Sequence, residues 1–308
     1  MLFLETSRYW KSKLNIVIII ASLFVIVLAT LQNYSSKMEF ERALNFALSN
    51  PRTTVEDIEF LTTMTEQFTG VFYFERLFFL NVDYYVVFWV ITMIGMGIHI
   101  GARAFSNLQS SYGTLLVTRI SYVNYLNKTL LAQIIYMLTF MILMFLIMFV
   151  GLVIFGGGGL QVPEASRTGG ILLDNATPMP RTTYFLTLIG IVFYSIACMI
   201  PLVIISTLSY VLFKNKYIIK FIPFAVMVGC YILAFVFGNL NSEMGLIMRM
   251  FIFESSITSL TGMISPYVGF EGSNYLSLFY VIVYPVGLWA ISFILYLTNV
   301  RKFGRNYL

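Results

Sequence analysis

The chain has 308 residues, of which 59% are hydrophobic and 11% charged, with a formal net charge of +5. A soluble globular domain carries about 25% charged residues, so a water-soluble fold of this length is excluded. Cys198 and Cys230 both lie inside apolar runs and read as small core residues, which excludes a disulfide scaffold. A single histidine leaves little material for histidine-based metal or acid/base chemistry.

A membrane-spanning helix needs about 20 mainly apolar residues. The composition and runs predict an all-α polytopic membrane protein with six such spans. Residues 1–13, MLFLETSRYWKSK, predict an interfacial helix. Phe3 and Trp10 fall on one face, toward the lipid, and Glu5, Arg8 and Lys11 fall largely away from it. Residues 14–31 form the first span. No small-x-small cleavage site comes after it and further spans do, so it reads as a span and not a removed signal peptide.

Residues 32–83 predict a helical hairpin outside the membrane. Phe40, Leu44 and Leu48 share one face of its first arm, NPRTT breaks the arm, and Thr53 with Glu56 makes a capping box for the second. The alternative is a solvated helical linker. The second span, 84–100, ends near His99, read as an interfacial or packing residue rather than a proton relay. Gly97 and Gly101 make a G-x-x-x-G, which permits close helix approach, either at a seam between subunits or inside one chain.

The 101–128 loop places Leu115, Leu116, Ile120 and Val123 on an apolar stripe. A short helix there would lie along the membrane face and offer polar groups to a partner; the alternative is basic decoration without one. Residues 129–155 form the third span. The 156–183 loop is rich in Gly and Pro and predicts irregular structure, and its GGGGLQ lacks the Gly-Lys-Ser/Thr ending of a phosphate loop.

The fourth span is 184–212, the next loop is 213–220, and the fifth span is 221–238. Residues 239–277 are apolar yet carry Arg249 and Glu254, which fits a re-entrant helical pair or an amphipathic helix lying flat. The sixth span is 278–300, and 301–308 is a tail. Pro201, Pro223 and Pro285 are expected to kink the last three spans.

Twelve of the 19 basic residues, with one acid, lie in 1–13, 101–128, 213–220 and 301–308. The alternate segments hold seven basic residues and thirteen acids. By the positive-inside rule both termini are cytoplasmic. The six spans contain no Asp, Glu, Lys or Arg, whereas ion-coupled transporters place such groups near the midplane. H-E-x-x-H, G-x-S-x-G and P-loop patterns are also absent, so no enzyme activity is expected of this chain. Energy for uphill movement would have to come from another polypeptide.

The run GTLLVTRISYVNYLNKTLLAQ resembles the first cytoplasmic loop of ABC-2-type permeases, the membrane subunits of bacterial ABC exporters. Gly113, Thr114 and Leu115 match the start of that motif, and Arg119, Ile120, Ser121, Tyr122, Tyr125 and Lys128 match its continuation. The acid often found just before the Gly-Thr is missing, with Gln109 and Ser110 nearby. The resemblance implies the ABC-2, type V exporter-like architecture, with an N-terminal interfacial helix and a re-entrant pair before the last span.

It also implies a multi-pass protein of a bacterial plasma membrane, with two ATP-binding subunits and a second permease chain, the same or a sister. No cofactor is expected in this chain, ATP-Mg being held by the partner, and no nucleic acid. Gly113, Thr114, Arg119, Ser121, Tyr122, Tyr125 and Lys128, with Arg8 and Trp10, would form the interface that couples to the ATPase. Gly97 and Gly101 would lie at the dimer or translocation seam. The expected cargo is hydrophobic or amphipathic: a peptide, lipid-linked molecule or drug. The alternative function is a non-transporting immunity or sensing subunit that binds a peptide through its extracellular hairpin.

Overall fold

A computed structural model describes residues 2–71, 73–74, 82–101, 103, 106–107, 121–156, 160–161, 181–213, 215–240 and 274–304. The elements among the described residues are all helical, with no strand. Hydrocarbon offers the backbone no partner, so a spanning segment must bond its own N–H and C=O groups along a helix. In chain order the elements are α1 (Leu2–Trp10), α2 (Lys13–Ser49), α3 (Val55–Glu66) and α4 (Val82–Met96). A π-turn, Gly97–Gly101, continues α4. Then come α5 (Tyr122–Gly156), α6 (Arg181–Leu208, closed by a 3-10 turn Ser209–Val211), α7 (Lys216–Leu240) and α8 (Asn274–Gly304).

Among the described residues four helices are long and apolar enough to cross a membrane: α2, α5, α6 and α8. A fifth, α7, qualifies when its two arms, Tyr217–Val226 and Val228–Phe237, count as one span bent by 45°. The apolar part of α4, Val87–Gly101, is shorter. The helix α6 is the most enclosed, buried without interruption from Cys198 to Ser209. It packs against α8, α7, α5 and the π-turn, while α4 lies along α2 and α1 lies along α5. A run of α5 residues, among them Tyr136, Met137, Phe140, Met141 and Met144, supplies much of the core. Cys198 is buried, Cys230 half-buried, and both are free.

Three boundaries differ from the sequence-based expectation. The first span and the first arm of the hairpin are one helix, because no Gly or Pro interrupts Lys13–Ser49 and nothing breaks α2 before Asn50-Pro51. Asn50 is extended, at φ −100 and ψ 113, as a residue ahead of proline prefers. The capping pair is Thr54 with Asp57 rather than Thr53 with Glu56. Thr54 Oγ1 accepts from the Asp57 N–H at 3.2 Å and donates to Asp57 Oδ2 at 2.6 Å. The third span starts earlier than expected, and Tyr122, Tyr125 and Lys128 sit in the first turns of α5 rather than in a separate loop helix. Residues 108–120, most of 156–183 and residues 241–273 lie outside the described residues, and with them most of the expected 101–128 surface helix and of the re-entrant pair.

The three prolines reveal how the bundle is fastened. Proline has no N–H, so it leaves the carbonyl four residues earlier without its helical partner. Pro201 in α6 frees the Ala197 carbonyl, which accepts from Trp289 Nε1 of α8 at 3.2 Å. Pro285 in α8 frees the Val281 carbonyl, which accepts from the Tyr194 hydroxyl of α6 at 2.7 Å. Pro223 in α7 frees the Ile219 carbonyl, which accepts from Ser206 Oγ of α6 at 2.8 Å. Each defect in one helix is filled by a side chain of its neighbour, as lipid surroundings demand. Of the three kinks expected, α7 bends by 45° whereas α6 and α8 each remain a single span.

Candidate functional site

The N-terminal helix α1 ends, like any helix, with four carbonyls that lack intrahelical donors. The Ser7 carbonyl takes the Lys11 N–H at 3.0 Å. The other three take side chains, the Tyr9 carbonyl in addition to the Ser12 N–H at 3.4 Å. Arg103 Nη1 donates to the Arg8 carbonyl at 3.0 Å, His99 Nε2 to the Tyr9 carbonyl at 2.9 Å, and Asn15 Nδ2 to the Trp10 carbonyl at 3.3 Å. The carbonyl can only accept, so the His99 ring donates from Nε2. The Arg103 cation also suits the negative end of the helix dipole.

Tyr9 is the anchor of this joint and is fully buried. Its ring meets His99 edge-on at 5.5 Å and Tyr136 at 5.3 Å, and the Arg103 guanidinium lies 5.4 Å from its centroid. Its hydroxyl accepts from Gln133 Nε2 at 3.3 Å, and Gln133 Oε1 in turn accepts from Thr207 Oγ1 at 2.9 Å. Burial pushes the Tyr9 phenol up to about 12, with the Gln133 hydrogen bond opposing and the Glu5 charge adding. The Tyr136 hydroxyl donates to Asn15 Oδ1. One polar cluster therefore joins α1, α2, α4's π-turn, α5 and α6.

The π-turn is what aims His99 at α1. An i→i+5 turn adds a residue to the helical repeat and rotates the helix beyond it. Its two glycines let the neighbours come close. A Cβ at Gly97 would collide with the Lys220 carbonyl of α7, and one at Gly101 with Ser206 Oγ of α6. The G-x-x-x-G thus packs within this chain, against the two helices that meet at the Pro223 defect.

Several residues expected at a coupling surface are placed otherwise. Tyr122 and Tyr125 are buried; Tyr122 stacks on Phe303 at 5.7 Å, and its hydroxyl lies 3.5 Å from Asn299 Oδ1 of α8. Trp10 packs on Tyr136 and Phe140 rather than pointing to lipid, and Glu5 is buried rather than turned to water. The Glu5 carboxylate takes Arg8 Nη1 at 3.1 Å, while the Arg8 side chain stays half-exposed. Ser121 and Lys128 are exposed, and Gly113, Thr114 and Arg119 lie outside the described residues.

Sequence reasoning missed Tyr9, Asn15, Arg103, Gln133 and Thr207. The available signal was a polar side chain at a span end, which is costly unless partnered. Among the described residues no three His, Cys, Asp or Glu side chains come together to hold a metal. The arrangement ties the N-terminal helix to α2, α4's π-turn, α5 and α6. No protein-family model matches the chain, and neither does any curated protein or solved structure.

Proposed function

We propose that this chain is the permease subunit of an ATP-driven exporter of the ABC-2 type, with six spans and both termini in the cytoplasm. The observation that carries this reading is the α1 joint. A surface helix whose carbonyls are held by His99 of the second span and by Arg103 just beyond it can pass a push from outside the bilayer into the bundle. The absence of Asp, Glu, Lys and Arg from the six expected spans adds support, since the energy then has to enter at the surface.

The α4 helix with its π-turn runs from Val82 to Gly101, about 30 Å at 1.5 Å per residue, and in this reading supplies the second of the six spans. The exposed partners available to an ATP-binding subunit are Arg8, Ser121 and Lys128, joined in this reading by Arg119. Tyr122 and Tyr125 serve by holding the start of α5 against α8. The cargo is hydrophobic or amphipathic, and it leaves through the seam with a second permease chain.

The test is reconstitution with a candidate ATP-binding subunit, sought first among the genes neighbouring the one for this chain. ATP-dependent accumulation of a labelled amphipathic peptide is expected in inside-out vesicles, and Arg119→Ala should weaken co-purification of the two subunits. A chain that never associates with a nucleotide-binding subunit would sink the proposal. The second reading, a non-transporting peptide-sensing subunit, is favoured by α3, in which no residue is buried. It predicts peptide binding with no ATP-dependent accumulation.

A further inference from the structure

The far end of α2 carries exposed apolar side chains beyond a charged stretch of the helix. The exposed apolar residues of α2 run from Ile16 to Leu31 and suit contact with acyl chains. Tyr34 comes next, and then Lys37, Glu39, Glu41 and Arg42 mark the exit into water. Phe46 lies about 22 Å beyond Leu31 at 1.5 Å per residue. Yet Phe46 is 70% exposed, Leu48 62%, and Val55 at the start of α3 79%.

The helix α3 adds charge of one sign. Its sequence VEDIEFLTTMTE holds four acids and no base, and Arg52 in the preceding turn is the one cation close to it in sequence. Glu56, Glu59, Phe60 and Thr63 fall at i, i+3, i+4 and i+7, and all four are exposed. An open aromatic ring therefore lies beside two carboxylates on the outward stripe. Asp57 is engaged with Thr54 at the cap, but among the described residues no cation pairs with Glu56 or Glu59.

From this we infer that the α2–α3 tip is a docking surface for a cationic amphipathic peptide. Apolar side chains of the peptide cover Phe60 and the tip residues, and its lysines or arginines meet Glu56 and Glu59. A second copy of the chain fits worse, because α3 against α3 opposes acid to acid, which costs affinity. Neutral or anionic peptides leave the carboxylates unmatched or repelled. The inference deepens the peptide-binding second reading by naming the peptide's chemistry, and it is independent of ATP and of transport, so it stands or falls without the permease reading.

The test uses the full chain in nanodiscs of zwitterionic lipid, without an ATP-binding subunit. The probe is a fluorescent amphipathic helix of leucine and lysine, with empty discs as background. Saturable binding above background is expected. Glu56→Lys with Glu59→Lys should weaken it roughly tenfold, which at about 1.4 kcal/mol per tenfold is about 0.7 kcal/mol for each rim charge. Glu56→Gln with Glu59→Gln should weaken it less, and added salt should erode the wild-type affinity. Phe60→Ser should cost about as much as the charge reversal. All these positions are exposed, so the fold is not at stake. Binding no better than to empty discs, or indifferent to both the carboxylate and the Phe60 variants, overturns the proposal. So does equal binding of a leucine–glutamate helix, or disulfide capture of two copies through Phe60→Cys in place of peptide binding.

Discussion

Two short helices flank the spans of this protein, and they are built in opposite ways. The N-terminal α1 is sunk: its Tyr9 is fully buried and three of its last carbonyls are held by side chains from other helices. The distal α3 is open: none of its residues is buried, and its one cap is made locally by Thr54 and Asp57. Neither helix is long enough to be stable alone in water. The first takes its order from the bundle, and in the proposed permease it would pass force to it. The second is held by its turn and its packing on α2, and keeps its outward face free. A helix meant to move with the spans needs the first design, and a helix meant to meet a partner needs the second.

The largest expected effect breaks the sunk helix. Tyr9→Ala removes a ring that contacts His99 and Tyr136 and leaves Gln133 without its acceptor. A buried aromatic truncated to alanine costs about 3–5 kcal/mol. Thermal unfolding of the purified chain should drop accordingly, and a cysteine at Ser7 should become more reactive. Phe60→Ala in α3 should stay within about 0.5 kcal/mol. Equal losses at the two sites would erase the distinction between the helices.

A middle-sized effect separates the two glycines of the π-turn. Gly97→Ala drives a methyl into the Lys220 backbone carbonyl, which cannot swing away, and overpacking of that kind costs about 1–3 kcal/mol. Gly101→Ala meets Ser206 Oγ, which can rotate aside at the expense of its bond to the Ile219 carbonyl. That bond is worth about 0.6 kcal/mol on average for membrane helices. Ser206→Ala should therefore rescue Gly101→Ala in part and leave Gly97→Ala unimproved, read as melting temperatures of the single and double variants.

Much of the frame was legible because lipid narrows the choices. An uninterrupted apolar run must be a helix, so α2, α5, α6 and α8 could be read from hydropathy, and the breaker Pro51 marked the end of α2. The sunk joint was not legible. Trp10 and Tyr9 on α1 carry the same chemistry whether they face lipid or protein, and spacing cannot tell those surroundings apart. His99 and Gln133 come from two distant elements, Thr207 behind Gln133 from a third, and only the packed bundle brings the first two to Tyr9 and the last to Gln133. The cap of α3 slipped by one residue because Thr53 and Thr54 both have capping hydroxyls, and only the turn bonding the Thr53 N–H to the Asn50 carbonyl at 3.1 Å decides between them. Tyr122 and Tyr125 matched a surface motif, yet α5 begins at Tyr122 and turns both inward.

The smallest effect is the most diagnostic of how the spans hold together. Trp289 is 42% exposed, so it reads as a lipid-facing aromatic whose loss should be trivial. Its indole N–H, however, serves the Ala197 carbonyl that Pro201 has freed. Trp289→Phe keeps most of the ring and removes the donor, which should cost about 0.6 to 1.7 kcal/mol, the range for hydrogen bonds between membrane helices. Pro201→Ala returns an N–H to position 201 and lets the backbone serve Ala197 itself. In that background Trp289→Phe should cost close to nothing, and the thermodynamic cycle should show the difference as coupling between the two sites. The same cost in both backgrounds would mean that the indole contributes only by packing. The freed carbonyl would then be satisfied by something other than its neighbour, and the reciprocal fastening of α6 to α8 would lose its physical basis.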